Sequence, residues 1–145
     1  MYIFRIFRRR RKAASEAEKA KYEPLRKEAR ALLPARLAEL AGKYGFEYNR
    51  VFLKHNRSNW GSCSSKQNIN LNITLVLIPE ELRTMVLLHE LCHLRYMNHG
   101  KEYHALLDEL CLQELGTTAR PLRSRLRSYS AWTGQPRKPS QLSFL

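Results

Sequence analysis

The segment from Pro79 to about Tyr96 constrains the fold of this chain more than any other part of the sequence. Pro79 is tolerated in the first turn of a helix, and Glu80 and Glu81 suit the positive end of the helix dipole. Apolar residues then occupy most of the helix circumference: Leu82, Met85, Val86, Leu88, Leu91 and Cys92. This pattern predicts a central helix buried on most of its surface.

His89, Glu90 and His93 are ionisable residues that lie among the apolar positions of that helix. His89 and His93 are four residues apart, so both imidazoles lie on one face and can reach one zinc ion. Glu90 follows the first histidine and lies beside such an ion, where it can take a proton from a zinc-activated water. Because buried ionisable groups are costly, they indicate function rather than ordinary packing.

A catalytic zinc site needs a third protein ligand and one open position. His99 is the preferred candidate, because a turn near Met97 can bring it back to the metal; His104 and His55 are alternatives. The spacing from His93 to His99 equals that of metzincins, but Tyr96 stands where metzincins have their turning glycine. The pattern therefore does not indicate a metzincin.

The remaining periodicities predict an α+β domain. Helical spacing from Ser15 to about Lys43 indicates an N-terminal helix, in which Pro34 predicts a kink or a junction of two helices. Three short strands follow, with tight connections that favour an antiparallel meander. We expect these strands at residues 48–55, 60–64 and 69–75, and a last helix from about residue 101 to a stop at Gly116.

The 145-residue chain carries a net charge of +13, concentrated in its ends. Residues 1–12 and 115–145 contain basic residues and no acid, whereas the middle is nearly neutral. We therefore expect a basic mobile segment over 1–14, one domain over 15–116 and a basic, poorly ordered tail over 117–145. The two ends are candidates for non-specific nucleic-acid binding. No stretch predicts a membrane span, and three widely spaced cysteines favour the cytoplasm.

Three sequence pieces resemble the YgjP-like metallopeptidase family, which is related to SprT-like and other minimal zincins. They are Trp60-Gly61-Ser62-Cys63-Ser64-Ser65-Lys66, then Asn68-Ile69-Asn70-Leu71-Asn72, then His89-Glu90-Leu91-Cys92-His93-Leu94 with Asn98-His99-Gly100. The chain departs from the family pattern at Asn59, at His104, and in not showing an N-terminal region of strands. The departures at Asn59 and His104 leave the metal site intact.

The resemblance implies a minimal zincin: a kinked N-terminal helix, a three-stranded antiparallel sheet, the HExxH helix and a C-terminal helix. It places the zinc ligands at His89, His93 and His99 and the general base at Glu90. The implied reaction is zinc-dependent hydrolysis of a peptide bond in a peptide or protein substrate. We expect the protein to be a cytoplasmic enzyme of this type.

Substrate contacts are predicted for Trp60, Asn70, Asn72, Tyr103 and His104. Asn70 and Asn72 lie on the polar face of a strand that an extended substrate could join by backbone hydrogen bonds. Arg95, Tyr96, Tyr103 and His104 are candidates to stabilise the oxyanion. Two alternatives stay open: a zinc hydrolase acting on nucleotides or other phosphoanhydrides, and a nucleic-acid-associated module whose zinc is structural.

Overall fold

A computed structural model describes residues 2–55 and 59–132, and within the terminal helices it gives no side-chain detail for 2–15, 17–19 and 130–132. The architecture is mixed α+β, as predicted. Its elements in chain order are α1 (Tyr2–Tyr44), β1 (Arg50–Lys54), β2 (Gly61–Cys63), β3 (Asn68–Asn72), a 3-10 helix (Ile73–Leu77), α2 (Glu80–Cys92), α3 (Lys101–Leu115) and α4 (Ala119–Trp132).

Helix α1 is one continuous helix with Pro24 and Pro34 inside it, rather than two helices meeting at Pro34. Pro34 removes one backbone donor, but Leu33 and Leu37 on either side are fully buried and hold both turns against the core. The helix begins at Tyr2, within the segment 1–14 that the sequence predicts to be basic and mobile. Its buried face packs against β1, the 3-10 helix and α2.

The sheet is not the predicted antiparallel meander. Its strand order is β1-β3-β2, with β1 parallel and β2 antiparallel to β3. The connection from β2 to β3 is a tight turn, closed by the Gln67 amide donating to the Ser64 carbonyl at 2.9 Å. Strands β1 and β2 lie on opposite sides of β3. Alternation of apolar residues predicts strands, but it does not specify which strands pair.

Strand β3 ends earlier than predicted, at Asn72. The Asn72 side chain accepts hydrogen bonds from the Thr74 amide at 3.0 Å and the Thr74 hydroxyl at 2.8 Å. This cap converts Ile73–Leu77 into a 3-10 helix. Ile73 and Leu75 are nevertheless fully buried, so the apolar residues reach the core without extending the strand.

Helix α2 is the buried central helix that the sequence predicts, although it ends at Cys92 rather than near Tyr96. Its last turn tightens, because the His93 amide donates to the Glu90 carbonyl at 3.2 Å and Leu94 to Leu91 at 3.0 Å. Helix α3 ends as predicted at Gly116, which adopts a left-handed φ of 74°. The early end of α2 lets the chain turn back towards α3 at residue 99.

Residues 119–132 are a helix, so the prediction of a poorly ordered tail over 117–145 is wrong there. Ala119, Leu122 and Leu126 recur at helical spacing and are at most 3% exposed. The Ala119 amide donates to Asp108 Oδ1 at 3.0 Å, which satisfies one free donor at the start of α4. Arginines lie between these apolar positions, so the sequence analysis did not detect the apolar face of this helix. The part of the predicted tail over 133–145 lies outside the described residues.

Across residues 2–55 and 59–132, no helix combines the length and the apolar character required to cross a membrane.

Candidate metal centre

The structure brings three histidine side chains together at the end of α2. His89 and His93 lie one turn apart on that helix, and His99 lies in the connection to α3. Each offers one ring nitrogen, and these atoms all lie within 4.8 Å of one another. The Nε2 atoms of His93 and His99 are 2.9 Å apart.

The other two histidine candidates lie outside this group. The His104 ring centroid is 6.3 Å from that of His99, so His104 borders the site. His55 instead contacts Tyr22, with ring centroids 4.1 Å apart. The geometry therefore favours His99 as the third member of the group.

Hydrogen bonds fix the ring orientations of His89 and His93. The Tyr103 hydroxyl donates its one proton to the His89 carbonyl at 3.1 Å. The same hydroxyl oxygen therefore accepts a hydrogen bond from Nδ1–H of His89. His93 Nδ1–H donates to the Tyr96 carbonyl at 3.0 Å. These tautomers, assigned from the bonding pattern, leave both Nε2 atoms unprotonated and directed at the group.

Tyr103 is a buried support for the histidines and is only 1% exposed. Its ring stacks on His93 with centroids 4.6 Å apart and meets His89 and His99 edge-on. Burial raises the pKa of its hydroxyl far above the ordinary range, so the group stays protonated. We predicted substrate contact for Tyr103, but the structure places it behind the ligands. Sequence reasoning missed this role, although a tyrosine on the apolar face of α3 signals a need for a buried partner.

Glu90 is enclosed beside the histidines and is 2% exposed. Its Oε1 lies 3.4 Å from His89 Nε2, and its Oε2 has no hydrogen-bond partner within the described part of the chain. Burial raises the pKa of this carboxyl to about 8. An isolated carboxyl in such a place needs a positive charge or a proton nearby.

Gly61 explains how β2 packs so closely against Glu90. A Cβ atom at this position would lie 3.1 Å from Glu90 Cγ and 3.1 Å from the Asn70 carbonyl oxygen. Any side chain would therefore push the carboxylate or the strand aside. The glycine of the Trp60-Gly61-Ser62-Cys63 run thus serves the position of Glu90, a role that the sequence alone did not reveal.

The residues present fit a bound metal ion. His89 Nε2 and Glu90 Oε2 are buried atoms without hydrogen-bond partners among the described residues, whereas such atoms are nearly always paired. Burial also lowers the pKa of His89, His93 and His99, which favours the neutral imidazoles that bind metals. Three neutral nitrogens around one point form a ligand set that fits a metal ion.

Among the other predicted substrate-binding residues, two support the fold. Trp60 is 6% exposed and packs in the core. Asn72 caps the 3-10 helix and donates to the Asn59 carbonyl at 2.9 Å. Asn70 is half-buried and donates to Ser62 Oγ across the strands at 3.1 Å. His104 is half-buried next to His99.

The expectation that β3 forms an open sheet edge is wrong, because β3 is paired on both sides. Strand β2 is the edge strand that packs on α2.

The oxyanion candidates outside α3 lie in different places. Arg95 donates to the Tyr44 and Gly45 carbonyls at 3.3 Å each, away from the histidines, whereas the Tyr96 side chain is partly exposed.

Comparison with known proteins identifies the family of this chain. The family model described as "YgjP-like, metallopeptidase domain" matches residues 5–123. The chain belongs to the YgjP-like metallopeptidase family. This family implies a metal ion and a peptide or protein substrate, and the match confirms the resemblance seen in the sequence.

A solved structure of similar fold is the metallopeptidase zymogen of Pyrococcus abyssi abylysin. It is 18% identical, with a TM-score of 0.57 over 67% of this chain and 93% of that chain. This likeness shows a shared metallopeptidase fold. Among curated proteins, no sequence matches the chain significantly. The comparisons give no support to nucleic-acid binding through the basic ends, which stays a prediction.

Proposed function

We propose that this protein is a zinc metallopeptidase in which His89, His93 and His99 hold the ion and Glu90 is the general base. The observation that carries the proposal is the convergence of three ring nitrogens beside a buried carboxylate oxygen that has no hydrogen-bond partner in the described chain. A structural zinc module needs no such carboxylate, so this feature favours catalysis.

The donor set favours zinc. Zinc readily takes imidazole nitrogen, and catalytic zinc sites combine three protein ligands with one open position. The three ring nitrogens lie within 4.8 Å of one another, so His89, His93 and His99 could hold one ion together. The half-buried Cys63 is not needed as a ligand, and burial raises the pKa of its thiol to about 11.

When bound, zinc supplies a Lewis acid that polarises the peptide carbonyl and lowers the pKa of water. Glu90 accepts a proton from the attacking water and passes it to the leaving amine. Tyr103 holds His89 in the tautomer that presents Nε2, and the Tyr96 carbonyl does the same for His93. Gly61 leaves the space in which Glu90 keeps its position.

The substrate would lie along β2, the sheet edge adjacent to Glu90. An extended peptide can add to an edge strand by backbone hydrogen bonds, which gives affinity without demanding a particular sequence. This replaces the assignment of that role to β3, because β2, unlike β3, has a partner strand on only one side in the described sheet and also packs on α2.

The test is peptide hydrolysis by the full chain, followed by mass spectrometry of a mixed peptide library. We expect cleavage by the zinc-loaded protein, loss of cleavage with a chelator and recovery on adding zinc. A Glu90→Gln protein, loaded in the same way, is the matched control for a contaminating protease. Zinc binding without cleavage of any library peptide would contradict the proposal.

A further inference from the structure

A pocket of about 470 Å³ lies beside the metal centre, between α3 and α4. Its lining is strongly polar and consists of His104, Asp108, Arg120, Arg123, Ser124 and Arg127. The three arginines come from successive turns of α4. The pocket is therefore a product of the helix that the sequence analysis missed.

The pocket carries an excess of positive charge. Its three arginines face a single acid, Asp108, whose Oδ1 already accepts a hydrogen bond from the Ala119 amide. By contrast, Arg125 on the same helix pairs with Glu81 at 2.7 Å, away from the pocket. On α4, therefore, the arginine outside the pocket pairs with an acid of α2, whereas Arg120, Arg123 and Arg127 line the pocket.

Arg123 belongs to the part of the pocket that adjoins the metal centre. It lines the pocket together with His104, which borders His99. Its Nε is buried and has no hydrogen-bond partner within the described residues. A guanidinium with an unused buried donor is suited to accept a planar, negatively charged partner.

The distance to the reaction centre is short. His104 lines the pocket, and its ring centroid is 6.3 Å from that of His99. An extended chain advances about 3.3–3.6 Å per residue. A group at the His104 end of the pocket would therefore belong to a substrate residue close to the cleaved bond.

We propose that this arginine pocket is a specificity subsite that binds a carboxylate of the substrate, carried by an acidic side chain or by the C-terminus. The inference rests on the proposed peptidase function and adds to it a preference for acidic substrates. A single guanidinium can bind a carboxylate through two parallel N–H···O hydrogen bonds, which a neutral amide cannot reproduce.

The test compares matched peptides that differ only near the cleaved bond. One pair carries Glu or Gln, and a second pair ends in a free carboxylate or an amide. A hydrogen bond to a charged group contributes about 1.5–3 kcal/mol, which corresponds to about 10- to 100-fold in kcat/KM. We expect a preference of this size for the acidic member of one pair. The pair that shows it identifies whether the bound carboxylate is a side chain or a C-terminus.

Arg123→Gln and Arg120→Gln should remove the preference, whereas Arg125→Gln makes the same charge change on the same helix and should retain it. If the Gln variant at the half-buried position 123 folds poorly, Arg123→Lys serves as the second test. It keeps the charge and should retain part of the preference. Circular dichroism and zinc content show that each variant is intact. Equal cleavage of both peptides in each pair by the wild-type protein would overturn the inference.

Binding to the Glu90→Gln protein separates failure of the subsite from failure of the function. Acidic peptides should bind this inactive protein more tightly than their amides, even if no peptide is ever cleaved. Inorganic phosphate serves as the competing probe. If acidic peptides are displaced only at millimolar phosphate, the result supports a carboxylate subsite. If phosphate binds and the protein has equal affinity for the acid and amide peptides, the result contradicts the proposal and favours a phosphoanhydride substrate.

Discussion

Two acidic residues of this protein, the buried Glu90 and the half-buried Glu114, have opposite surroundings. Glu114 joins α3 to α1, and both of its oxygens are used: Oε1 accepts from Arg36 at 3.2 Å, and Oε2 accepts from Lys43 at 2.7 Å and from the Tyr44 hydroxyl. Glu90 has one oxygen near His89 and another with no hydrogen-bond partner among the described residues. One carboxylate is fully paired, and the other is not.

Their pKa values follow this difference. Hydrogen bonds from Lys43 and Tyr44 lower the pKa of Glu114 to about 2, whereas burial raises that of Glu90 to about 8. The comparison shows how to distinguish polar clusters in this fold. A cluster that stabilises the protein satisfies its own groups, and a cluster that serves a reaction keeps groups open for a metal ion and substrate.

The largest effect should come from removing a ligand. His99→Ala should lose the zinc and with it all measurable hydrolysis, because two imidazoles alone hold the ion weakly. His104→Ala should keep about one zinc per chain, and metal analysis of the purified proteins compares the two. Zinc retained by the His99 variant would refute the ligand assignment.

Glu90→Gln should lower hydrolysis by about two to four orders of magnitude while zinc content and thermal stability stay unchanged or improve. The amide keeps the size of the side chain but cannot accept the proton. Steady-state kinetics and metal analysis on the same preparation measure both. If this variant loses its zinc, Glu90 is a ligand and not the base.

Tyr103→Phe should weaken zinc affinity by about 10- to 100-fold, because His89 loses the hydrogen bond that fixes its tautomer. Competition with a fluorescent zinc chelator measures the change. Tyr96→Phe is the matched control, since the Tyr96 side chain is 36% exposed and its contact to His93 is made by the backbone. Equal affinities in both variants would show that Tyr103 only fills space.

Gly61→Ala should reduce kcat by up to about 10-fold without loss of zinc, because the added Cβ forces Glu90 or β2 to shift by a few tenths of an ångström, and a shift of about 1 Å can cost about 100-fold. Gly100→Ala is the control, because a Cβ atom there meets nothing within 4 Å. Unchanged kcat in the Gly61 variant, with the fold intact, would argue against the close packing of β2 on Glu90.

Glu114→Gln tests the paired carboxylate and should change stability rather than activity. The pKa of Glu114 lies below its ordinary value in the folded state, so its stabilisation is present above about pH 4.5 and is lost as the pH falls towards 2. At neutral pH we expect a loss of about 1–3 kcal/mol, measured by denaturant unfolding. Glu109→Gln is the control, because Glu109 is exposed and its replacement should have little effect on stability. If the difference in free energy of unfolding between the wild type and Glu114→Gln persists at low pH, the pH dependence does not come from Glu114.

The sequence predicted much of the fold and the central part of the candidate site. Helical and alternating periodicities located α1, α2, α3 and the three strands, and the spacing of His89, Glu90 and His93 indicated the chemistry. These signals succeed because side chains four residues apart on a helix, or two apart on a strand, share a face whatever the rest of the chain does.

Longer-range features came only from the tertiary structure. The parallel pairing of β1 with β3, the docking of α4 and the position of Tyr103 behind His89 each depend on contacts between distant parts of the chain. Local patterns show which face of an element is apolar but not which neighbour covers it. Hence the sequence determined by itself which residues could form a metal centre, while packing decided what orients it and which arginines lie beside it.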